Sequence, residues 1–407
     1  MNDYFGGSSD EIYYGSVRCE YVAYQDDVGK PSAGVRQAQT ANIKMSSLFK
    51  EKGLNAHPDK TGYIVFGSTG YKEKISAELE NCELSLGDFP VKRKNCDRYL
   101  GQILHTDGVK ASVEATIAER EGKLKGAIFE VKSIIEDFQM QALGGMMAAW
   151  HLWERAMVPS LLYGSGTWMG ATVAEYERLD KLQDMFWRVM LEVPESCPRI
   201  ALRAETRMIG MKHRVWQSKL LLFKRIKGQS SSTLSKKILV EQQRNNWPGL
   251  SAEVREICSE LKISDMNNCE VPVGIIKRAI MDHHDRHLVD DVSNSKKMKK
   301  HKEDNFKEVQ DYMKGKVLYN SRMAFRIRCE MVTEIKGNCK DKYRRSGGEE
   351  ALKCDDCSLD QIQTQSHCLI CPHWEDIRKG MKFENSEGMV TFFHRRLQER
   401  LREKTSK

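Results

Sequence analysis

Val17-Arg18-Cys19-Glu20-Tyr21-Val22-Ala23-Tyr24-Gln25-Asp26-Asp27-Val28-Gly29 is the stretch on which the fold turns. Val17, Cys19, Tyr21 and Ala23 recur at every second residue, the period of a strand with one covered face. The run stops at Gln25-Asp26-Asp27, and Gly29 and Pro31 follow, so the chain bends there. Beyond the bend, Ala41, Met45, Leu48 and Phe49 fall at helical spacing within Gln37 to Lys52, and Gly53 stands where a C′ glycine would. Tyr63-Ile64-Val65-Phe66, closed by Gly67, reads as a second strand, and Tyr99-Leu100-Gly101-Gln102-Ile103-Leu104 as a third. The segment up to about residue 110 is expected to be α+β.

After Gly108 the strand signals give way to helical ones. Val113, Ile117, Leu124, Ile128, Val131, Ile135 and Phe138 form one stripe. Thr172 and Glu175 make a capping box ahead of Tyr176, Leu179, Leu182, Phe186 and Val189, and Pro194 and Pro198 end that helix. Leu202 to Lys227 resumes a helical period, Gly228 to Ser232 reads as a loop, and the chain stays helical and polar to about 345. There is no internal repeat.

The 407 residues have room for two or three domains. Hydrophobic residues at 40% with 9 Pro and 29 Gly exclude a collagen or a low-complexity chain. The most apolar stretch, Ala142 to Trp153, falls short of the roughly 20 residues a spanning helix needs, so no membrane segment is expected. Met1 to Asp10 carry neither a basic n-region nor an apolar h-region, so no secretory signal is read. Most of the 12 cysteines are scattered, as expected of reduced thiols in an intracellular protein, nuclear or cytoplasmic.

Adjacent carboxylates at Asp26 and Asp27 repel each other, and a divalent cation relieves the repulsion. Mg²⁺ suits such a pair, because it takes one or two carboxylates together with substrate phosphates. A solvated turn is the bland reading of the same dipeptide. Downstream come Gly53-Leu54-Asn55, His57-Pro58-Asp59-Lys60-Thr61 and Tyr99-Leu100-Gly101, then Val158-Pro159-Ser160-Leu161-Leu162-Tyr163-Gly164 and Thr167-Trp168. This order resembles the end of the palm and the thumb of reverse transcriptases of LINE-type (non-LTR) retrotransposons. Tyr24 to Asp27 match the Y/F-x-D-D box, Gly53 to Thr61 the G-L-x-x-N-P-x-K-T element, and Tyr99 to Gly101 the Y-L-G strand. His57 replaces the usual Asn, and Gly166 the usual Glu of the thumb motif.

The resemblance implies a truncated polymerase palm at 1–110, a short antiparallel sheet with a helix. A helical thumb at 111–230 and a helical connector at 231–345 would follow. Asp26 would bind catalytic Mg²⁺ and Asp27 support it. Lys60 would face the departing pyrophosphate, unless it is a surface lysine. Tyr24 would line the template–primer side, unless it is a packed strand aromatic. Only 25 residues precede Asp26, and their aspartates, Asp3 and Asp10, lie in a Gly/Ser-rich stretch unlike the family's other metal-binding strand. The chain alone is therefore not expected to polymerise. A non-catalytic protein that binds nucleic acid or a protein partner is the alternative, and the partners expected are RNA or DNA and a polypeptide supplying the missing polymerase half.

Cys354-x2-Cys357-x9-His367-x3-Cys371 has the ligand types and spacing of a closed structural Zn²⁺ site, with Cys368 and His373 as alternates. The same family carries such a knuckle after its thumb, continued by a Cys-Pro and a later Arg, here Cys371-Pro372 and Arg378; it would occupy 346–407 with a basic helix. Trp374 is either a stacking platform or an aromatic packed beneath the site. Residues 395 to 407, beginning Arg395-Arg396, hold six basic and two acidic residues, a footprint for phosphate or a solvated helix face. Asp282-His283-His284-Asp285-Arg286-His287 places two histidines at i, i+4 without the Glu of a metalloprotease motif, and reads as a polar exposed helix face.

Overall fold

A computed structural model of the protein describes residues 12–19, 22–24, 27–137, 145–263, 271–295, 298, 309–315, 317–332, 335, 348, 350–357, 359–379, 381, 383 and 386–405. It is mostly helical, at 64%, with a few short strand pairs, which agrees with α+β in that coarse sense.

The strands are β1 (Ile12–Tyr14), β2 (Val17–Cys19), β3 (Val22–Tyr24), β4 (Asp27–Gly29), β5 (Gly62–Tyr63), β6 (Ser85–Leu86), β7 (Phe89–Pro90), β8 (Lys92–Arg93), β9 (Cys96–Tyr99) and β10 (Gln102–His105). Among the described residues they form five separate two-stranded pairs, and β5 with β8 is parallel. This corrects the expectation of one short antiparallel sheet. Tight turns are the physical cause. Gly15, Gly87 and Gly101 all have positive φ and fold the chain back every few residues, so most strands pair only with their sequence neighbours. The expected strand at 17–24 is accordingly two, β2 and β3, with different partners. The expected strand at 99–104 is a hairpin, its turn made by Leu100 at φ 48° and Gly101 at φ 73°, both positive as a type I′ turn requires.

The helices are α1 (Val35–Lys52), α2 (Thr69–Glu80), α3 (Val109–Glu136), α4 (Gly145–Leu152), α5 (Val158–Leu161), α6 (Val173–Leu191), α7 (Arg199–Thr206), α8 (Met211–Lys227), α9 (Leu234–Arg244), α10 (Leu250–Leu261), α11 (Val273–Asn294), α12 (Leu318–Arg328), α13 (Gln365–Ile370), α14 (Glu375–Arg378) and α15 (Ser386–Thr405). Gly53 ends α1 at φ 66°, and the Leu54 N–H reaches back to the Phe49 carbonyl at 2.8 Å. Val113, Ile117, Leu124, Ile128 and Ile135 of the predicted stripe are buried along α3. A π-helical turn, Trp153–Met157, joins α4 to α5 just ahead of Pro159, which has no N–H to continue an α ladder. The helix expected from Leu202 to Lys227 is broken at Arg207, which turns left-handed at φ 59° and gives its guanidinium to both oxygens of Asp285. No helix among the described residues is long and apolar enough to cross a membrane.

Two compact units share the chain, one built from residues 1–122, 161–179 and 211–282, the other from 123–160, 180–210 and 283–407. Both are discontinuous in sequence, whereas the blocks read from the sequence are continuous. Among the described residues, two apolar clusters lie in the first unit. Val35, Val65, Ile75, Leu84, Leu86 and Val91 fasten the small strands to α1 and α2, where the Gln39 side chain bonds both the N–H and the hydroxyl of Ser85. Trp216, Leu220, Phe223, Leu239, Val254, Ile276 and Ile280 knit α8 to α11. In the second unit Met323, Ile327, Trp374, Phe392 and Phe393 join α12, the cysteine segment and α15.

Candidate functional site

The cysteine segment builds its site from short-range structure. An isolated bridge pairs Lys353 with Ile362, and the Cys354 N–H donates to the Gln361 carbonyl at 2.9 Å, so the loop between them returns on itself. Thr364 then caps α13, its hydroxyl accepting the His367 N–H at 3.0 Å, and this first turn aims the imidazole back at the loop. One ligand atom from each of Cys354, Cys357, His367 and Cys371 lies within 4.8 Å of every other. Cys357 Sγ and His367 Nε2 are 3.3 Å apart. Among the described residues this is the group of three or more His, Cys, Asp or Glu side chains gathered closely enough for a metal ion. It can hold one such as zinc. Cys368 is buried in the apolar cluster instead, and His373 is exposed, so neither alternate belongs to the set.

The surrounding chemistry fits that ion. His367 Nδ1 lies 2.9 Å from Gln361 Oε1, so with its proton on Nδ1 the ring donates there and presents the Nε2 lone pair to the sulfurs. Burial pulls the His367 pKa down, which favours the neutral imidazole that a metal takes. Burial, with the neighbouring Cys357 and Cys354 behind it, pushes the Cys371 thiol up to about 12. A thiol in that setting keeps its proton unless a cation replaces it. Arg378, the arginine of the Cys-Pro…Arg element, donates to the Cys371 carbonyl at 2.5 Å and fixes the exit of the site.

Beneath the cysteines lies a polar cluster that the spacing of ligands does not announce. One oxygen of Asp356 accepts from Arg396 at 3.0 Å, from Trp374 Nε1 at 2.9 Å and from Gln363 Nε2 at 3.3 Å. The Arg396 guanidinium carbon stands 5.4 Å from the Trp374 ring centroid, within cation–π range. Trp374 is 2% and Arg396 3% exposed. Of its two readings Trp374 takes the packed one, and Arg396 is corrected from a phosphate contact or solvated face to a buried one: the indole and the guanidinium face inward, and each finds its hydrogen-bond acceptor in Asp356. Arg395, one residue along α15, remains at the surface.

In the first unit, β3 and β4 pair antiparallel with Tyr24 opposite Asp27. Asp26 and Gln25 lie outside the described residues, as does the side chain of Tyr24. Asp27 is exposed and, among the described residues, belongs to no group of three or more metal-capable side chains. Lys60 is likewise exposed. What the structure does bring together is the neighbourhood of these residues. A Cβ on Gly29 would stand 3.6 Å from the Tyr99 ring, and burial, then the Asp27 charge, raises the Tyr99 pKa. Lys94 reaches from the Lys60 carbonyl, at 3.2 Å, to Asp97 of β9, at 2.7 Å. On the far side of the same hairpin, Gln102 donates to the Tyr163 carbonyl at 2.8 Å and accepts from Trp168 Nε1 at 2.7 Å.

Arg120, which no motif singled out, completes this junction. Its guanidinium donates to the carbonyls of Gly101, Leu161 and Tyr163 at 2.7, 2.9 and 2.7 Å. Gly101 and Gly164 are glycines for a steric reason as well as for their positive φ. A Cβ on Gly101 would meet the Tyr163 ring at 3.1 Å, and one on Gly164 would meet Gln102 Nε2 at 2.4 Å.

In comparisons with protein-family models, curated proteins and solved structures, nothing matched this chain.

Proposed function

We propose that these 407 residues correspond to the C-terminal portion of a non-LTR retrotransposon reverse transcriptase, and that on their own they bind RNA or DNA without extending a primer. The observation that carries this reading is the gathering of separately recognised motifs on one hairpin. The Tyr24–Asp27 hairpin, the segment around Lys60 and the Tyr163-Gly164…Trp168 element all reach residues 94–102. These motifs are spread along 145 residues of sequence, 24 to 168, and their meeting in one neighbourhood of the first unit supports the reading. Asp26 and Asp27 would then be the remnant of a magnesium cage whose other members come from elsewhere, and phosphoryl transfer needs the whole cage to neutralise charge. Lys60 and Arg395, both exposed, supply cations for phosphate contacts.

The test is primer extension on a primed RNA template with Mg²⁺, beside fluorescence anisotropy with labelled single-stranded RNA and DNA across a salt series. No dNTP incorporation is expected, with affinity falling linearly in log–log salt and Asp26→Asn leaving it unchanged. Robust incorporation by the chain alone, or an absence of salt-dependent binding, would overturn the proposal. A second reading, a non-catalytic scaffold for a protein partner, draws on the inward-facing Trp374 and Arg396, which make the knuckle a structural brace. It gains if nucleic-acid binding is absent while the zinc-loaded fold is intact.

A further inference from the structure

One run of metal-capable residues, 282–287 in α11, lies outside both the cysteine site and the polymerase-like motifs. It reads as a polar exposed face, but His283 is only 5% and His284 only 4% exposed. Helical spacing brings i and i+4 side chains onto one face. Here it brings His283 and His287 together, with their two Nε2 atoms 3.3 Å apart and their ring centroids 4.4 Å apart at 50°. Two nitrogens each bound at 2.0–2.1 Å to a tetrahedral zinc ion are separated by about 3.3–3.4 Å. The 3.3 Å gap, a hydrogen-bond distance between the free rings, also matches the edge of such a coordination tetrahedron.

The turn that carries the pair is held from outside it. Arg207 grips Asp285, which lies between the two histidines in sequence, through both carboxylate oxygens. Leu288 beside them is buried, which limits rotation of the helix. His283 is thus fixed in the interior, whereas His287 is exposed and leaves the outer side of the pair open to solvent. Imidazole pairs suit borderline divalent ions such as zinc, copper(II) and nickel.

We infer that His283 and His287 form a two-histidine chelate for a divalent transition-metal ion, separate from the cysteine site, with water filling the remaining positions. Without metal, one Nε2 carries a proton and donates it to the other. On binding, that proton is held at Nδ1 of its ring and both Nε2 lone pairs face the ion. The site does not depend on the proposed ancestry.

The experiment uses the full chain carrying one equivalent of cobalt(II) in the cysteine site, titrated with further cobalt(II). Thiolate coordination gives ligand-to-metal charge transfer, and imidazole–water coordination does not. A second equivalent is expected to bind, adding ligand-field absorption without added charge transfer, and His287→Ala, at an exposed position, should lose that equivalent while keeping the first. Binding of one equivalent only by the unsubstituted chain, or a second equivalent retained in both His287→Ala and His283→Ala, would overturn the inference. Circular dichroism of each variant separates loss of a ligand from loss of fold.

Discussion

Asp356 sits in the turn between two metal ligands, yet its carboxylate faces Arg396 and Trp374. Both members of that ion pair are less than a tenth exposed. Removing one partner strands the other's charge away from water. Asp356→Ala is therefore expected to destabilise the second unit by about 3–5 kcal/mol in urea melts, and the paired change Asp356→Leu with Arg396→Met to cost much less. Gln361 orients His367, and would act through it on a metal held there, so Gln361→Ala should weaken zinc binding by about 10–100-fold in competition with a chromophoric chelator. The four ligands were legible in the sequence because their convergence is set by local turns. Asp356, Gln361 and Gln363 were not. The partner that gives Asp356 its meaning is 40 residues away, and the spacing of cysteines carries no trace of it.

Elements with local signals were read well. α1 ends at Gly53 as its C′ position implied, and α6 starts at Val173 behind the capping box, where the Thr172 N–H donates to Glu175 at 2.7 Å. Burial pushes the Glu175 carboxyl up, but the hydroxyl and N–H of Thr172 outweigh it and hold the pKa below its ordinary value of 4.5. A depressed folded-state pKa contributes stability above the unfolded-state value and loses it as pH falls through the folded one. Glu175→Gln should therefore destabilise α6 near neutral pH, by about 0.5–2 kcal/mol as cap losses do, with the difference from the unsubstituted protein closing as pH falls through the lowered folded-state pKa. Thermal melts at stepped pH measure it. The short strands were read less well. Tyr99 to Leu104 reads as one strand from its apolar residues, and the paired positive φ values at Leu100 and Gly101 reveal a turn.

At the scale of the whole chain, periodicity announces helices but not which of them pack together, so blocks continuous in sequence gave no view of units assembled from three separate segments each. Zinc is the handle for testing the second of these units. Three thiols must surrender protons to bind it, so zinc content should fall as pH is lowered, and a strong chelator should remove it at neutral pH. The Asp356 turn ties that event to α15, since the loop that would unravel with the metal is the same loop that receives Arg396. With zinc in the site, the last helix would be moored by an ion it never touches. Trypsin should find Arg396 shielded in the zinc-loaded protein and cleave there soon after chelation, clipping the tail that follows it although Arg396 is itself none of the four ligands.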